Sequence, residues 1–351
     1  MTVFFSTLSR FHRTLFFFLS IVFAAVPALA QDELPAEPDH HETTGAEGLN
    51  VGEVIIHHVL DDHVWHFWDG HGGTLYLPVI VYSKERGLDI FSSARFYDEH
   101  HELIPYNGYK LDHNHIYLES TGEPVFDLSI TKNVAMLLIN SLVLILVFLS
   151  VAKAYKRNAG KAPKGLQSLI EPIILFVRDE VVKPNIGHGY EKFMPYLLTL
   201  FFFILFGNLL GLLPGAANLT GNIAVTMTLA VLTFIITNVS GNKSYWSHIF
   251  WTPGVPLPLR IVILPVEIIG IFTKPISLMV RLFVAITAGH IVILSLIALT
   301  FIFQSYFVGI ASSLVVLFIN LIEILVAGIQ AYVFTLFTSL YIGMAKAEDH
   351  H

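Results

Sequence analysis

From Phe193 to Ala345 the chain carries six charged side chains, Lys243, Arg260, Glu267, Lys274, Arg281 and Glu323, in what is otherwise a succession of apolar runs. A soluble core needs a charged outer surface, and this stretch cannot supply one. In hydrocarbon every backbone polar group has to be bonded inside the protein, and helices of about 20 apolar residues do that within themselves. The chain therefore reads as an all-α polytopic membrane protein. Its composition agrees: of 351 residues 54% are hydrophobic and 13% charged, where soluble domains carry about 25% charged. Cysteine is absent, which excludes disulfides and thiolate metal sites. No basic footprint exists for nucleic acid.

The N-terminal third differs. Arg10 and Arg13 precede an apolar core from Leu15 to Val26, and Ala28-Leu29-Ala30 precedes Gln31. That pattern predicts a signal peptide over residues 1–30; a retained anchor is the alternative, and both export the residues beyond Gln31. Residues 31–50 are acidic, contain Pro and Gly, and read as a disordered tether. Residues 51–130 alternate short apolar runs with Gly, Asp and Asn, which predicts a small β-rich periplasmic domain. It holds His57, His58, His63, His66, His71, His100, His101, His113 and His115. Of these, His57, His58, His63, His66 and His71 come nearest to a ligand set, but the spacings match no zinc pattern and no metal is assigned.

The membrane domain is expected over residues 131–346, with a tail at 347–351. Val134 to Ala152 is an uncharged spanning run succeeded at once by Lys153, Lys156, Arg157, Lys161 and Lys164. The positive-inside rule makes that end cytoplasmic and agrees with an exported N-terminus. Residues 166–183 mix apolar and charged positions around Pro172, as an interfacial helix does. Phe193 to Leu213 then crosses outward and Ile223 to Val239 crosses back, so about five crossings are expected. The last two are long and tilted, with Val308 to Gly343 too long to stand upright. Asn208 is polar within a span, which suits a helix–helix hydrogen bond or a water path.

Four of the sparse charges, Arg260, Glu267, Lys274 and Arg281, are spaced seven apart and form a slowly drifting stripe, with Pro265 and Pro275 as potential kinks. An arginine at the centre of a membrane helix costs about 2.5 to 3.5 kcal/mol, so Arg281 calls for a function. Ser277, Ala285, Ala288 and Gly289 around it are small, which shapes its face for close approach by a neighbouring helix. His290 lies about half a helical rotation away. On the last helix Glu323 and Gln330 share a face, and a buried carboxyl near an imidazole reads as a proton relay or as a structural hydrogen bond.

At these residues the sequence resembles a known family. Lys274-Pro275-Ile276-Ser277-Leu278-Met279-Val280-Arg281-Leu282-Phe283, Ala288-Gly289-His290, and Glu323 with Gln330-Ala331 beyond it are similar to subunit a of F-type ATP synthases. Phe206-Gly207-Asn208-Leu209-Leu210-Gly211-Leu212-Leu213-Pro214 and the helix after Asn222 match as well. The resemblance implies a stator in a bacterial inner membrane that passes protons through two half-channels to and from a ring of c subunits. Further partners it implies are b-type peripheral stalk subunits, the rest of the complex and the lipid bilayer, with no cofactor and with ATP chemistry on other chains. Arg281 matches the essential ring-facing arginine. His290, Glu323 and Gln330 fall on proton-access positions, and Asn208, Glu267 and Ser277 on further matched positions. Two departures stand out. Many bacterial relatives carry the acid in the first of these helices and the histidine in the second, the reverse of His290 and Glu323, and Ala285 replaces the usual Asn.

Two other classes compete. A stand-alone transporter would use the same intramembrane Arg, His and Glu, but such proteins often show inverted repeats and none is found. A periplasmic metal-binding receptor with an anchor would leave the polar stripes unexplained.

Overall fold

A computed structural model describes residues 61–347 except 67–72, 99–102, 113, 159–160, 214 and 252–255. The expected signal peptide and tether lie outside the described residues. So do His57, His58, His71, His100, His101, His113, Pro214 and all but the first residue of the tail.

The N-terminal domain is built from short antiparallel strands. β1 (Val64–His66) pairs with β2 (Thr74–Tyr76). β3 (Pro78–Ser83) lies between β4 (Gly87–Ser92) and the short β7 (Phe126–Asp127), and β5 (Tyr109–Asp112) pairs with β6 (His115–Leu118). Strict alternation in β3 turns Val79 and Val81 inward, where Phe96, Tyr109, Leu111, Ile116 and Leu118 close a small core. Asn107 and Gly108 both take positive φ in a two-residue turn, with Tyr106 and Tyr109 exchanging backbone hydrogen bonds at 2.9 Å.

The domain is fastened to the membrane part at two points. Trp65 and Leu77 belong to the membrane core, and the indole N–H of Trp65 donates to the Gly215 carbonyl at 2.6 Å. Asp61 accepts from the Thr131 hydroxyl (2.8 Å) and the Asn133 amide (3.1 Å), which binds the domain to the start of the first long helix.

That helix, α1 (Lys132–Arg157), is capped by Thr131 and extends the expected span at both ends. The segment expected to be interfacial forms α2 (Leu166–Phe176), a π-turn at Val177–Val182, and α3 (Lys183–Ile186), where Pro184 stands in the first turn. Next comes α4 (Met194–Gly211), apolar all round because it is the most enclosed span, with 78% of its residues buried. Asn140 of α1 reaches the Phe203 carbonyl of α4 at 3.1 Å. α5 (Ile223–Val239), capped by Asn222, has the expected bounds. The loop carrying Lys243 is itself helical, α6 (Lys243–Phe250), bent by 103° from α5.

The last two helices dominate. α7 (Leu257–Phe303) has 47 residues and runs through Pro265 and Pro275; α8 (Tyr306–Lys346) has 41, longer than the stretch expected from Val308 to Gly343. At about 1.5 Å per residue these helices measure roughly 70 and 60 Å. A hydrocarbon core of about 30 Å cannot hold either upright. Among the described residues four helices are long and apolar enough to cross, and the bent pair α5–α6 would make a fifth. Only 22% and 17% of the apolar windows of α7 and α8 are buried within the chain, so most of their surface is left for surroundings outside it.

Candidate functional site

α7 and α8 form an antiparallel hairpin that turns at Gln304, which adopts a left-handed conformation with φ 45°. Four contacts fix its register. Near the turn Gly309 packs on Thr300. Farther along, Gly289 lies against Glu323, so closely that a Cβ at this glycine would collide with the carboxylate Oε1 and stand 3.2 Å from Cγ and Cδ. Beyond that the Arg281 guanidinium sits 4.5 Å from the centre of the Phe337 ring, and Lys274 sits 5.5 Å from that of Tyr341. Going away from the turn, the order is Glu323 with Gly289, then Arg281 on Phe337, then Lys274 on Tyr341.

The seven-residue spacing of the cations thus meets a four-residue spacing of aromatics on the partner helix. A ring face attracts a cation, by about 2 kcal/mol when water is excluded, which offsets much of the cost of burying the charge. Among the described residues Arg281 has no ion pair. Glu267 lies farther down α7, and its charge acts on Lys274 and on Tyr245 of α6. Arg260, the first of the stripe, stacks on Trp251 at 4.3 Å.

Glu323 is buried, with 6% of its surface exposed. His290 is the residue after Gly289 and is half-buried, as is Gln330. Asn208 of α4 is fully buried: its amide donates to the Ala327 carbonyl of α8 at 3.4 Å and its carbonyl accepts from Thr220 at 2.8 Å. That joins α4 to α8 one turn beyond Glu323. Ser277 is exposed on α7, away from the contacts between the two helices.

The small-residue face expected to receive a neighbouring helix is divided. Gly289 is taken by Glu323 of this chain, because the α7–α8 register brings the two opposite each other; Ser277 and Ala288 stay exposed and Ala285 is half-buried. Phe337 and Tyr341 escaped the sequence reading, although aromatics four apart on the last helix opposite cations seven apart on the one before are a recoverable signal.

A second polar cluster lies at the domain junction. His63 Nε2 and Asp127 Oδ2 are 2.9 Å apart, with His63 buried. Burial alone would lower the imidazole pKa, but the hydrogen bond and charge of Asp127, with the charges of Asp61 and Asp62, raise it above its ordinary value. Burial pulls Asp127 upward, and its bonds to His63 and Ser129 outweigh that and hold it below the usual carboxylate range. Asp61 is pushed up by burial. His115 is exposed, and His66 lies in β1 opposite Thr74. Among the described residues no three His, Asp or Glu side chains gather as a metal site.

A family model described as ATP synthase A chain matches residues 134–343, and one described as a domain of unknown function matches residues 54–137. The two meet at the start of α1. The ATP synthase subunit a 2 of Chlorobium luteolum is 42% identical over 322 residues, covering 89% of this chain and 81% of that protein. The ATP synthase subunit a 2 of Prosthecochloris aestuarii is 43% identical over 332 residues, covering 92% and 89%. The ATP synthase subunit a of Chloroherpeton thalassium is 49% identical over 232 residues, covering 64% and 69%.

Proposed function

The chain belongs to the ATP synthase A chain family, and from that premise we propose that it carries protons through two half-channels to and from a rotating ring of c subunits, with Arg281 as the charge that keeps the half-channels apart. It is a proton-translocating subunit of the membrane sector of an F-type ATP synthase. On this reading the protein lies in a bacterial inner membrane, with the β-rich domain periplasmic after removal of a signal peptide and the C-terminus cytoplasmic. The c-ring and b-type peripheral stalk subunits are its partners, and ATP is made on other chains.

The observation that carries the reading is Arg281 on Phe337. A guanidinium keeps its proton at any working pH. Held over an aromatic ring, with no carboxylate paired to it among the described residues, it attracts an anionic group brought from outside, and a deprotonated ring carboxylate is such a group. The same fixed charge disfavours a proton passing that point, so the barrier is electrostatic. Polar groups flank it along the hairpin: Glu323, beside Gly289 and His290, toward the turn, and Lys274 with Glu267 on the far side. We assign the first group, with Gln330, to the outer half-channel and the second to the inner. Asn208 fastens α8 beside the outer group.

Moving one charge through the membrane field yields about 2.3 kcal/mol per 100 mV, so several protons are combined for each ATP, and the rotor does that summing. The test is Arg281→Ala. The subunit should insert and assemble while ATP-driven proton pumping in inverted vesicles disappears; pumping at the wild-type rate refutes the assignment.

A further inference from the structure

We propose that the basic turn between α1 and α2, together with the outward face of α2, is a binding site for the headgroups of anionic phospholipids. From Ala152 to Ile170 the chain holds Lys153, Lys156, Arg157, Lys161 and Lys164 and no acid. All five cations are exposed, and among the described residues none is in an ion pair. The first acid after this stretch, Glu171 within α2, is engaged with Gln167 at 3.5 Å, and the next are Asp179, held by Arg178 at 2.7 Å, and Glu180.

The turn is anchored from its inner side, which keeps the cations outward. The Asn158 amide donates to Gln167 Oε1 at 3.4 Å, the Gln167 amide to Glu171 Oε2 at 3.5 Å, and the Lys161 N–H to the Asn158 carbonyl at 2.9 Å. Gly165 makes the corner into α2 with φ 63°, a conformation that suits glycine.

α2 supplies the second half of the site. Ile170 and Ile174, with Val177 just beyond the helix, are buried against the bundle, whereas Leu169 and Leu175 are exposed on its other side and Phe176, also exposed, lies 5.8 Å from the Tyr332 ring of α8. A helix at a membrane edge with an apolar outer face is placed to meet acyl chains. Cations beside that face are placed to meet the phosphates above those chains. Charge complementarity selects anionic over zwitterionic lipid, because each lysine or arginine near such a surface strengthens binding about fivefold.

The test uses the full chain in nanodiscs holding phosphatidylglycerol and phosphatidylcholine in equal amounts, with retained lipids counted by native mass spectrometry. The wild type should retain phosphatidylglycerol preferentially. Lys156→Gln with Arg157→Gln should cut that preference by about tenfold or more. Lys84→Gln with Lys110→Gln, which removes the same charge from the β-rich domain, should leave it unchanged. For the wild type, raising salt from about 0.1 to about 1 M, where the screening length falls from roughly 10 to 3 Å, should abolish the preference and serves if the variant fails to fold. No preference in the wild type, equal loss in both variants, or persistence in high salt overturns the proposal. Displacement of the lipid by inorganic phosphate would show a free-phosphate site instead. An unchanged lipid preference in Lys156→Gln with Arg157→Gln likewise overturns the proposal.

Discussion

Replacing Gly289 by alanine tests the geometry of the hairpin with one carbon atom. The new methyl would occupy the space of the Glu323 carboxylate, and ordinary contact begins at 3.4 Å. Glu323 Cγ and Cδ, both 3.2 Å from the added atom, leave little room for a rotation confined to the end of the side chain. The carboxyl therefore has to retreat by about 1 Å, a misplacement that costs on the order of a hundredfold where a transfer depends on alignment. Overpacking adds about 1 to 3 kcal/mol of destabilisation. Gly270 of α7 and Gly328 of α8 have nothing within 4 Å of an added Cβ. Alanine there should be neutral or stabilising by up to about 1 kcal/mol. The assay is ATP-driven acidification of inverted vesicles, normalised to subunit a content and to ATP hydrolysis. Gly289→Ala should fall about tenfold to a hundredfold, with Gly270→Ala and Gly328→Ala unchanged. Wild-type pumping in Gly289→Ala, or an equal fall in all three, refutes the argument that Glu323 works from the position the hairpin gives it.

Other outcomes are expected from the same structure. The double exchange His290→Glu with Glu323→His should retain more pumping than either single change; a double variant no better than the worse single would show that the two do not share a pathway. Phe337→Leu removes the ring under Arg281 while keeping bulk, and should slow pumping more than Phe337→Tyr, measured in the same vesicles; equal rates would show that the ring face does not matter. At the domain junction His63 has a raised pKa and Asp127 a lowered one. Their contribution is present above the ordinary Asp value of 3.8, full below the ordinary His value of 6.5, and lost as pH rises through the raised His63 pKa. Proteolysis between the β-rich domain and α1 should accordingly be slower at about pH 5.5 than at about pH 8.5, and Asp127→Asn should remove the difference.

Hydrophobic run length made the helices legible, and α5 lies where the apolar stretch from Ile223 to Val239 places it. Arg281, Glu323 and His290 stood out because polar groups in hydrocarbon are costly, a signal that needs no tertiary information. The register between α7 and α8 was out of reach. A stripe of small residues says that something comes close without saying what, and here Gly289 receives Glu323 from the same chain. The cation–aromatic pairs depend on that register and were missed with it. Trp65 was unreadable for a related reason: its partner is a backbone carbonyl 150 residues away, and any exposed turn offers such a group.

That tryptophan bears on mechanics. If a ring turns against α7 and α8, the stationary subunit receives a sideways load at every step. Asn208 would pass load from α8 into α4, and the turn after α4 is gripped by Trp65 from the β-rich domain. The β-rich domain is in turn tied to α1 through Asp61. Torque delivered to one helix would thereby be shared among three, and the domain would act as a buttress whose stiffness limits how far α7 and α8 lean under that load.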